Sequence, residues 1–390
     1  MAKSAKRIRS KWGHIDFPLL ILVTILAIFG VVMVFSASYY YSINSTGTPY
    51  SYLWKQGAFA VSGFVIMLVL SVFDYHIMRH VAVLIAAVEL VLLVLVFTPL
   101  GVTVNEATRW IRVPGIGLTI MPGELAKPAI IILAASYFSA RMKRAQSLSG
   151  LLPIVVYTVV CCVLIVKQPN LSTAITVFLI AVGLAFVAGM QWRWIGMILA
   201  GGAAGSYYLT FIDKGYWHQR VVSFMDPFAD ALGEGFQVVQ SLLALGTGGV
   251  FGLGLGKSVQ KNLYLPEPQN DFILAIIGEE LGFVGIAALL IIYALTVWRI
   301  FYIAMRAKDD FGMLLAAGVG IMIGAQVVLN VAVVTSSMPP TGIALPFVSY
   351  GGNSLWILMA LMGMVLNISR QPQYAEEEQP EGKGLAGARA

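Results

Sequence analysis

Ten charged residues lie within or at the ends of long apolar stretches, and they are the side chains best placed to do chemistry. They are Glu89, Glu106, Arg109, Arg112, Glu124, Lys127, Lys167, Asp271, Glu279 and Glu280. A charge inside a bilayer costs several kcal/mol unless it is paired or reaches water, so such residues mark candidate functional sites. All except Glu89 fall toward the outer ends of the predicted helices. This clustering predicts a polar cavity that opens to the outside.

Two groups on the first large external loop are candidates for binding a ligand. Glu124 and Lys127 are three residues apart, so a helix places them on one face where they can pair. They form either a structural ion pair or a charged wall for a polar or anionic ligand. Arg109, Trp110 and Arg112 precede them. Two guanidiniums beside an indole suit a diphosphate and a sugar ring, although Trp and Arg also anchor helices at the membrane surface.

Asp271 follows LPEPQN and directly precedes a long apolar segment. It is placed either to cap that helix or to act as a general base at the membrane surface. Glu279 and Glu280 lie about two turns deeper, and adjacent helical residues point about 100° apart. We therefore expect at most one of them to share a face with Asp271. The other must pair with a neighbouring helix or stay protonated.

The composition excludes a soluble enzyme and a disordered chain. Of 390 residues, 58% are hydrophobic and only 11% are charged, against roughly 25% charged residues in soluble proteins. The net charge of +6 is scattered between apolar runs, so we predict no nucleic-acid partner. Cys161 and Cys162 are adjacent, and the four histidines lack ligand spacing. We expect no metal cluster and no required cofactor, and a divalent cation stays an open alternative.

The apolar segments predict an all-α polytopic membrane protein, because a helix needs about 20 apolar residues to cross the hydrocarbon core. Ten candidate spans cover residues 17–37, 54–73, 80–99, 124–139, 151–167, 171–188, 194–212, 272–298, 311–336 and 345–368. Most lysines and arginines fall at the two termini and in alternate turns, which predicts that both termini are cytoplasmic.

We divide the chain into a basic cytoplasmic N-terminus (1–16), a transmembrane domain (17–369) and a disordered cytoplasmic tail (370–390). The connection 213–271 is too apolar for a simple exposed loop, so we expect part of it to fold back into the protein. Irregular backbone at membrane depth survives only where protein or a water-filled cavity surrounds it. A second glycine-rich stretch, 339–354, opens the last predicted span.

Seven motifs in this order resemble the SEDS family (shape, elongation, division and sporulation). They are TRWIRV (108–113), PGELAK (122–127), KQPNLSTA (167–174), DPFADALGEGFQVVQS (226–241), GLGLGKSVQK (252–261), LPEPQNDFILAIIGEELGF (265–283) and PPTGIALPFVSYGGNS (339–354). The resemblance covers about residues 15–370 and is greatest to the division and sporulation branch. The usual QPDLGTA of the family reads QPNLSTA, with Asn170 and Ser172 replacing an acid and a glycine.

This resemblance implies a glycosyltransferase that polymerises lipid II, an undecaprenyl-diphosphate disaccharide-pentapeptide, into peptidoglycan at the outer membrane face during division. It assigns the catalytic aspartate to Asp271, the cavity pair to Glu124 and Lys127, and the paired glutamates to Glu279 and Glu280. The implied partners are a class B penicillin-binding protein and other membrane proteins of the division or elongation machinery. The implied location is the cytoplasmic membrane, at the septum.

We expect further residues to line the cavity on the external loops and the last glycine-rich motif. They are Arg109, Trp110, Arg112, Arg220, Ser349, Gly351 and Gly352. We expect Arg109, Lys127 or Arg220 to neutralise the departing diphosphate. Two other hypotheses, a lipid II flippase and a non-enzymatic division scaffold, stay open, and so does a polymerase that acts in sporulation or elongation instead of division. Chemistry is favoured over transport because Asp271 lies at a helix mouth and the sequence shows no matching halves of the kind found in transporters.

Overall fold

The computed structural model describes residues 13–104, 107–112, 119–212, 224–229, 231, 233 and 235–371. Within these ranges the chain is built from α-helices and one small sheet. The helices are α1 (Phe17–Thr46), α2 (Ser51–Leu70), α3 (His76–Leu95), α4 (Pro122–Ser139), α5 (Leu148–Val166), α6 (Leu171–Val187), α7 (Trp192–Tyr207), α8 (Phe236–Gly248), α9 (Ile273–Met305), α10 (Asp310–Val334) and α11 (Gly352–Arg370). A 3₁₀ helix (Met142–Gln146) precedes α5, and a π-helical turn (Tyr208–Ile212) ends α7.

The predicted all-α polytopic fold is confirmed. Seven of the described helices, α1, α2, α3, α5, α9, α10 and α11, are long and apolar enough to cross a membrane. The other three predicted spans coincide with α4, α6 and α7, which are shorter at 18, 17 and 16 residues. Several predicted ends were wrong: α1 continues to Thr46 instead of ending at 37, α9 continues to Met305 instead of ending at 298, and the last helix starts later than 345. Residues 345–351 form turns, and the last helix begins at Gly352.

A three-stranded antiparallel sheet connects α3 to α4, and the sequence analysis did not predict it. Its strands are β1 (Gly101–Val104), β2 (Ala107–Arg112) and β3 (Thr119–Ile120), in the order β1-β2-β3. Trp110 pairs with Val102, and Ile111 pairs with Ile120. The sheet therefore carries the TRWIRV motif on a strand that leads into the first turn of α4.

Helix α10 lies at the centre of the bundle and is the most deeply buried of the candidate spans. It packs on α4, α6, α9 and α11. A Cβ at Gly318 would meet Ile131 of α4 at 2.8 Å and Leu184 of α6 at 3.2 Å, so the three helices approach closely there. Elements attached to the C-terminal end of α10 are consequently held by a deeply buried helix.

Helix α9 is interrupted at Gly282, whose φ of 68° is left-handed, and the segment after α8 fills the break. The amide of Phe283 donates to the carbonyl of Gly249 at 2.9 Å, and the amide of Leu253 donates to the carbonyl of Glu279 at 2.9 Å. The backbone freed by the break is thus satisfied by a neighbouring loop, as burial requires.

The return of the 213–271 connection into the protein is confirmed for its described part. Gly248 at the end of α8 packs so closely on α9 that a Cβ would lie 2.0 Å from the carbonyl oxygen of Gly278. Seven residues earlier in α8, the hydroxyl of Ser241 donates to the carbonyl of Val334 at the end of α10, at 2.8 Å. Residues 213–223, like the predicted disordered tail from 372 onward, lie outside the described residues.

Candidate functional site

Asp271 lies half-buried in the turn that leads into α9. The N-cap residue of that helix is Phe272, so Asp271 stands one position before the cap that the sequence analysis considered for it. Its backbone carbonyl accepts a hydrogen bond from Asn330 Nδ2 of α10, at 2.9 Å. Its carboxylate packs against Gly342, where a Cβ would lie 2.9 Å from Oδ2. Two separate segments therefore position this acid.

The segment before Asp271 is joined to the loop before α11. The amide of Tyr350 donates to the carbonyl of Gln269 at 2.9 Å. Within the segment, Asn270 Nδ2 donates to Glu267 Oε2 at 2.8 Å. Burial raises the pKa of Tyr350 above its ordinary value, so the phenol stays neutral at physiological pH. The PEPQND and PFVSYGG motifs thus form one structural unit.

Replacing Gly342 by alanine tests how closely this unit fits the carboxylate. Gly342 has a φ of +71°, and the added methyl group would contact Asp271 Oδ2. We expect the Gly342→Ala variant to lose about 10- to 100-fold in polymerisation rate, since a misplacement of about 1 Å at a reacting group costs about that much. Rates with purified protein and lipid II measure the effect.

Gly47→Ala is the matched control for Gly342→Ala. Gly47 also has a left-handed φ, +74°, but nothing lies within 4 Å of the added Cβ. Both variants carry a similar backbone strain, of about 1–2 kcal/mol. Equal activity of the two variants would contradict a specific role for the Gly342 contact.

Glu124 and Lys127 form the predicted pair in the first turns of α4. Lys127 Nζ lies 2.8 Å from both carboxylate oxygens of Glu124. The side chains are 4% and 14% exposed for Lys127 and Glu124, respectively. Glu124 also lies in the first helical turn, where a negative charge is favourable. The pair is nearly dry, so its electrostatic effect on a neighbouring ligand is little screened by water.

The predicted grouping of Arg109 with Trp110 and Arg112 is not what the structure shows. The three follow one another along β2, where successive side chains point to opposite faces. The guanidinium of Arg109 donates to the backbone carbonyls of Gln168, at 3.3 Å, and of Pro169. Arg112 is exposed on the other face of the strand. The two guanidiniums therefore do not converge on one ligand as predicted.

Asn170 and Ser172 acquire roles that the sequence analysis missed. Asn170 is the N-cap of α6 and accepts a hydrogen bond from the amide of Thr173 at 3.4 Å. An asparagine caps a helix about as well as an aspartate does. The hydroxyl of Ser172 donates to the carbonyl of Thr341 at 2.8 Å, and the carbonyl oxygen of Gly342 lies 3.2 Å from the same hydroxyl. Asn170 thus caps α6, and Ser172 anchors the loop that packs on Asp271.

Glu279 and Glu280 are both fully buried, and both bind the segment that follows α8. Glu280 pairs with Lys261 Nζ at 2.8 Å and accepts a hydrogen bond from Ser36 of α1 at 2.7 Å. Glu279 accepts from the amide of Val259 at 3.0 Å. The predicted pairing of one glutamate with a neighbouring helix holds for Glu280 only as the hydrogen bond from Ser36, because its ion-pair partner Lys261 lies in the segment after α8. The prediction of Glu279 and Glu280 as cavity residues is wrong, because both carboxylates are fully buried and are held by contacts with residues 258–261.

The predicted cavity residues of the last motif also have structural contacts. The hydroxyl of Ser349 accepts from the amide of Leu345 at 2.8 Å, which closes the turn before α11. The amide of Gly351 donates to Gln56 Oε1 of α2 at 3.5 Å. A Cβ at Gly352 would lie 2.6 Å from the ring of Phe59. These residues hold the loop on α2 and thereby shape the wall near Asp271.

Three further predictions concern residues away from this unit. Arg220 and Glu106 lie outside the described residues. Glu89, buried in α3, accepts a hydrogen bond from the hydroxyl of Tyr157 of α5 at 2.8 Å.

Among the described residues, no group of three or more His, Cys, Asp or Glu side chains lies close enough together to hold a metal ion.

Comparisons with known proteins identify relatives that match nearly the whole chain. The family model FTSW_RODA_SPOVE, described as "Cell cycle protein", matches residues 17–374. A probable peptidoglycan glycosyltransferase FtsW from Geobacter sp. (strain M18) is 41% identical, over 91% of this chain and 96% of that protein. The stage V sporulation protein E of Bacillus subtilis (strain 168) is 37% identical, over 92% of this chain and 98% of that protein.

Two solved structures share the fold. One is a chain of a peptidoglycan synthase complex described as coordinating polymerization and crosslinking. It is 30% identical, with a TM-score of 0.75, over 92% of this chain and 98% of that one. The other is the rod shape determining protein RodA of Thermus thermophilus, 27% identical with a TM-score of 0.66, over 92% of this chain and 98% of that one.

Proposed function

The chain belongs to the FtsW, RodA and SpoVE family and is a peptidoglycan glycosyltransferase, and from this premise we propose that it polymerises lipid II with Asp271 as its general base. The division role follows the FtsW relatives. The observation that carries the proposal is the placement of Asp271. Asp271 is half-buried just before α9, and its carboxylate packs on Gly342. Its backbone carbonyl accepts a hydrogen bond from Asn330.

The proposed reaction forms one glycosidic bond per cycle. Asp271 accepts the proton of the acceptor's 4-hydroxyl as the hydroxyl oxygen attacks the anomeric carbon of the donor. The bond between that carbon and the diphosphate oxygen breaks, and the lipid diphosphate leaves. Because the donor carries its own leaving group, the scheme needs no nucleotide and no organic cofactor. A chelator titration of the rate decides whether a divalent cation assists.

Lys127 is the cation that we assign to the departing diphosphate. Its ammonium group has three donors, of which two account for the contacts with Glu124. Arg109 is less suited, because its guanidinium holds the backbone carbonyls of Gln168 and Pro169. A fixed charge in a nearly dry site stabilises developing negative charge at little cost in reorganisation.

Replacing Lys127 by methionine is therefore expected to lower kcat by about 100-fold, in line with the loss of one electrostatic contact to a transition state. Steady-state polymerisation at several lipid II concentrations measures kcat. Lys55→Met is the control, since Lys55 is an exposed lysine of α2. A kcat for Lys127→Met within threefold of that control would contradict the assignment.

We further propose that a class B penicillin-binding protein is the partner and would cross-link the strands that this enzyme makes. The likeness to a chain from a peptidoglycan synthase complex supports this assembly. Both termini would be cytoplasmic and the enzyme would act at the septum. Co-purification with the cognate penicillin-binding protein, and the position of a fluorescently tagged copy in dividing cells, test the partner and the location separately.

A further inference from the structure

We propose that Asn330 of α10 is a positioning residue that sets the orientation of the Asp271 carboxylate, with Ser172 of α6 as its counterpart on the opposite side of the loop. This inference rests on the proposed role of Asp271. Both residues donate to backbone carbonyls. They act on the backbone of the two segments that hold the Asp271 carboxylate.

Asn330 joins these two segments with a single amide group. Its Nδ2 donates to the carbonyl of Asp271 at 2.9 Å and to the carbonyl of Ile343 at 2.7 Å. Only the nitrogen of a side-chain amide can donate, and it has two hydrogens, so these two acceptors fix which way the amide points. Asn330 is fully buried, and its Oδ1 is a buried acceptor without a hydrogen-bond partner in the structure.

The two acceptors lie in the two segments that determine where the Asp271 carboxylate is placed. One is the backbone of Asp271 itself. The other, Ile343, directly follows Gly342, against which the carboxylate packs. Asn330 therefore fixes the distance between Asp271 and Gly342. Because α10 is the most deeply buried candidate span, the amide is attached to a rigid support.

Ser172 fixes the other side of the same loop. Its hydroxyl lies 2.8 Å from the carbonyl oxygen of Thr341 and 3.2 Å from that of Gly342. The loop is thus hydrogen-bonded to α6 at 341–342 and to α10 at 343. Removing either contact lets Gly342 move relative to the carboxylate while the acid itself stays in the chain.

A second buried asparagine provides a matched control. Asn367 of α11 is also fully buried. Its Oδ1 accepts from the amide of Tyr75 at 3.2 Å, and its Nδ2 donates to the carbonyl of Ser71 at 2.9 Å. It has the same residue type, the same burial and the same number of hydrogen bonds as Asn330. Its partners lie in the turn between α2 and α3, away from Asp271.

The test compares Asn330→Leu with Asn367→Leu in steady-state polymerisation of lipid II and in thermal unfolding. Both variants are expected to lower the unfolding temperature by a similar amount. Asn330→Leu is expected to lower kcat by about 30- to 100-fold with KM for lipid II unchanged within twofold, because a base displaced by about 1 Å loses about that much. Asn367→Leu is expected to keep kcat within threefold of the natural enzyme.

Ser172→Ala keeps the test decisive if Asn330→Leu does not fold. It removes one hydroxyl and is expected to lower kcat about fivefold, again without a change in KM. The inference is overturned if Ser172→Ala, and Asn330→Leu where it folds, retain kcat within twofold of the natural enzyme. Asp271→Asn in the same assay distinguishes a failure of the proposed function from a failure of the positioning role. An active Asp271→Asn enzyme overturns the proposed function, whereas an inactive one beside fully active Asn330 and Ser172 variants overturns the positioning role alone.

Discussion

Replacing Asp271 by asparagine is expected to abolish glycan-strand synthesis while the protein still inserts into membranes and binds its partner. Asparagine has nearly the shape of aspartate but cannot accept the proton of the attacking hydroxyl. Loss of a positioned general base costs about 10²- to 10⁴-fold in rate. The contact with Asn330 uses the backbone carbonyl of residue 271, so the substitution leaves that hydrogen bond in place.

The measurement is the yield of glycan strands from lipid II by purified variant and natural enzyme at equal concentrations. Asp310→Asn is the control. It makes the same chemical change at an exposed residue in the first turn of α10, at the end of that helix remote from Asn330. A polymerisation rate for Asp271→Asn above about one tenth of that control would be incompatible with general-base catalysis by Asp271.

The second large effect is expected on stability, at the ion pair that joins the segment after α8 to the broken helix α9. Replacing Lys261 by methionine leaves the carboxylate of Glu280 buried without its cation. Breaking a buried ion pair in this way destabilises a protein by about 3–5 kcal/mol. We expect a correspondingly lower unfolding temperature in detergent, together with easier proteolysis of residues 257–261. Adding Glu280→Gln should restore part of the loss, because the unpaired charge is then removed.

Lys257→Met is the control for Lys261→Met. Lys257 lies four residues earlier in the same segment and is exposed, and exposed charges contribute about 0–1 kcal/mol. Equal unfolding temperatures for the two single variants would show that the buried pair does not hold the segment.

The sequence was sufficient for the features that depend on local pattern. Runs of apolar residues located all ten predicted helices, because the hydrocarbon core sets their length. The i,i+3 spacing of Glu124 and Lys127 predicted their pairing, since a helix face fixes the geometry. Asp271 was found as an acid at the mouth of an apolar helix. The assignment of catalysis to it came from the resemblance to a family.

What the sequence did not predict depends on contacts between distant residues. The strand around Trp110 was read as an external loop, so the alternation that separates Arg109 from Arg112 was missed. The break at Gly282 is stable only because a loop from outside the helix bonds to its free backbone. The role of Asn330 depends on two acceptors that lie 13 and 59 residues away in the chain, so no local pattern predicts it.

The central claim is polymerisation, and the most direct measurement places the natural protein in liposomes with labelled lipid II, with and without its penicillin-binding protein. Glycan strands and movement of lipid II between leaflets are scored in the same sample. We expect strands from the natural protein and none from Asp271→Asn. Translocation without strands would show a flippase, and neither signal in the presence of the partner would show a scaffold. Either of these results would contradict the account.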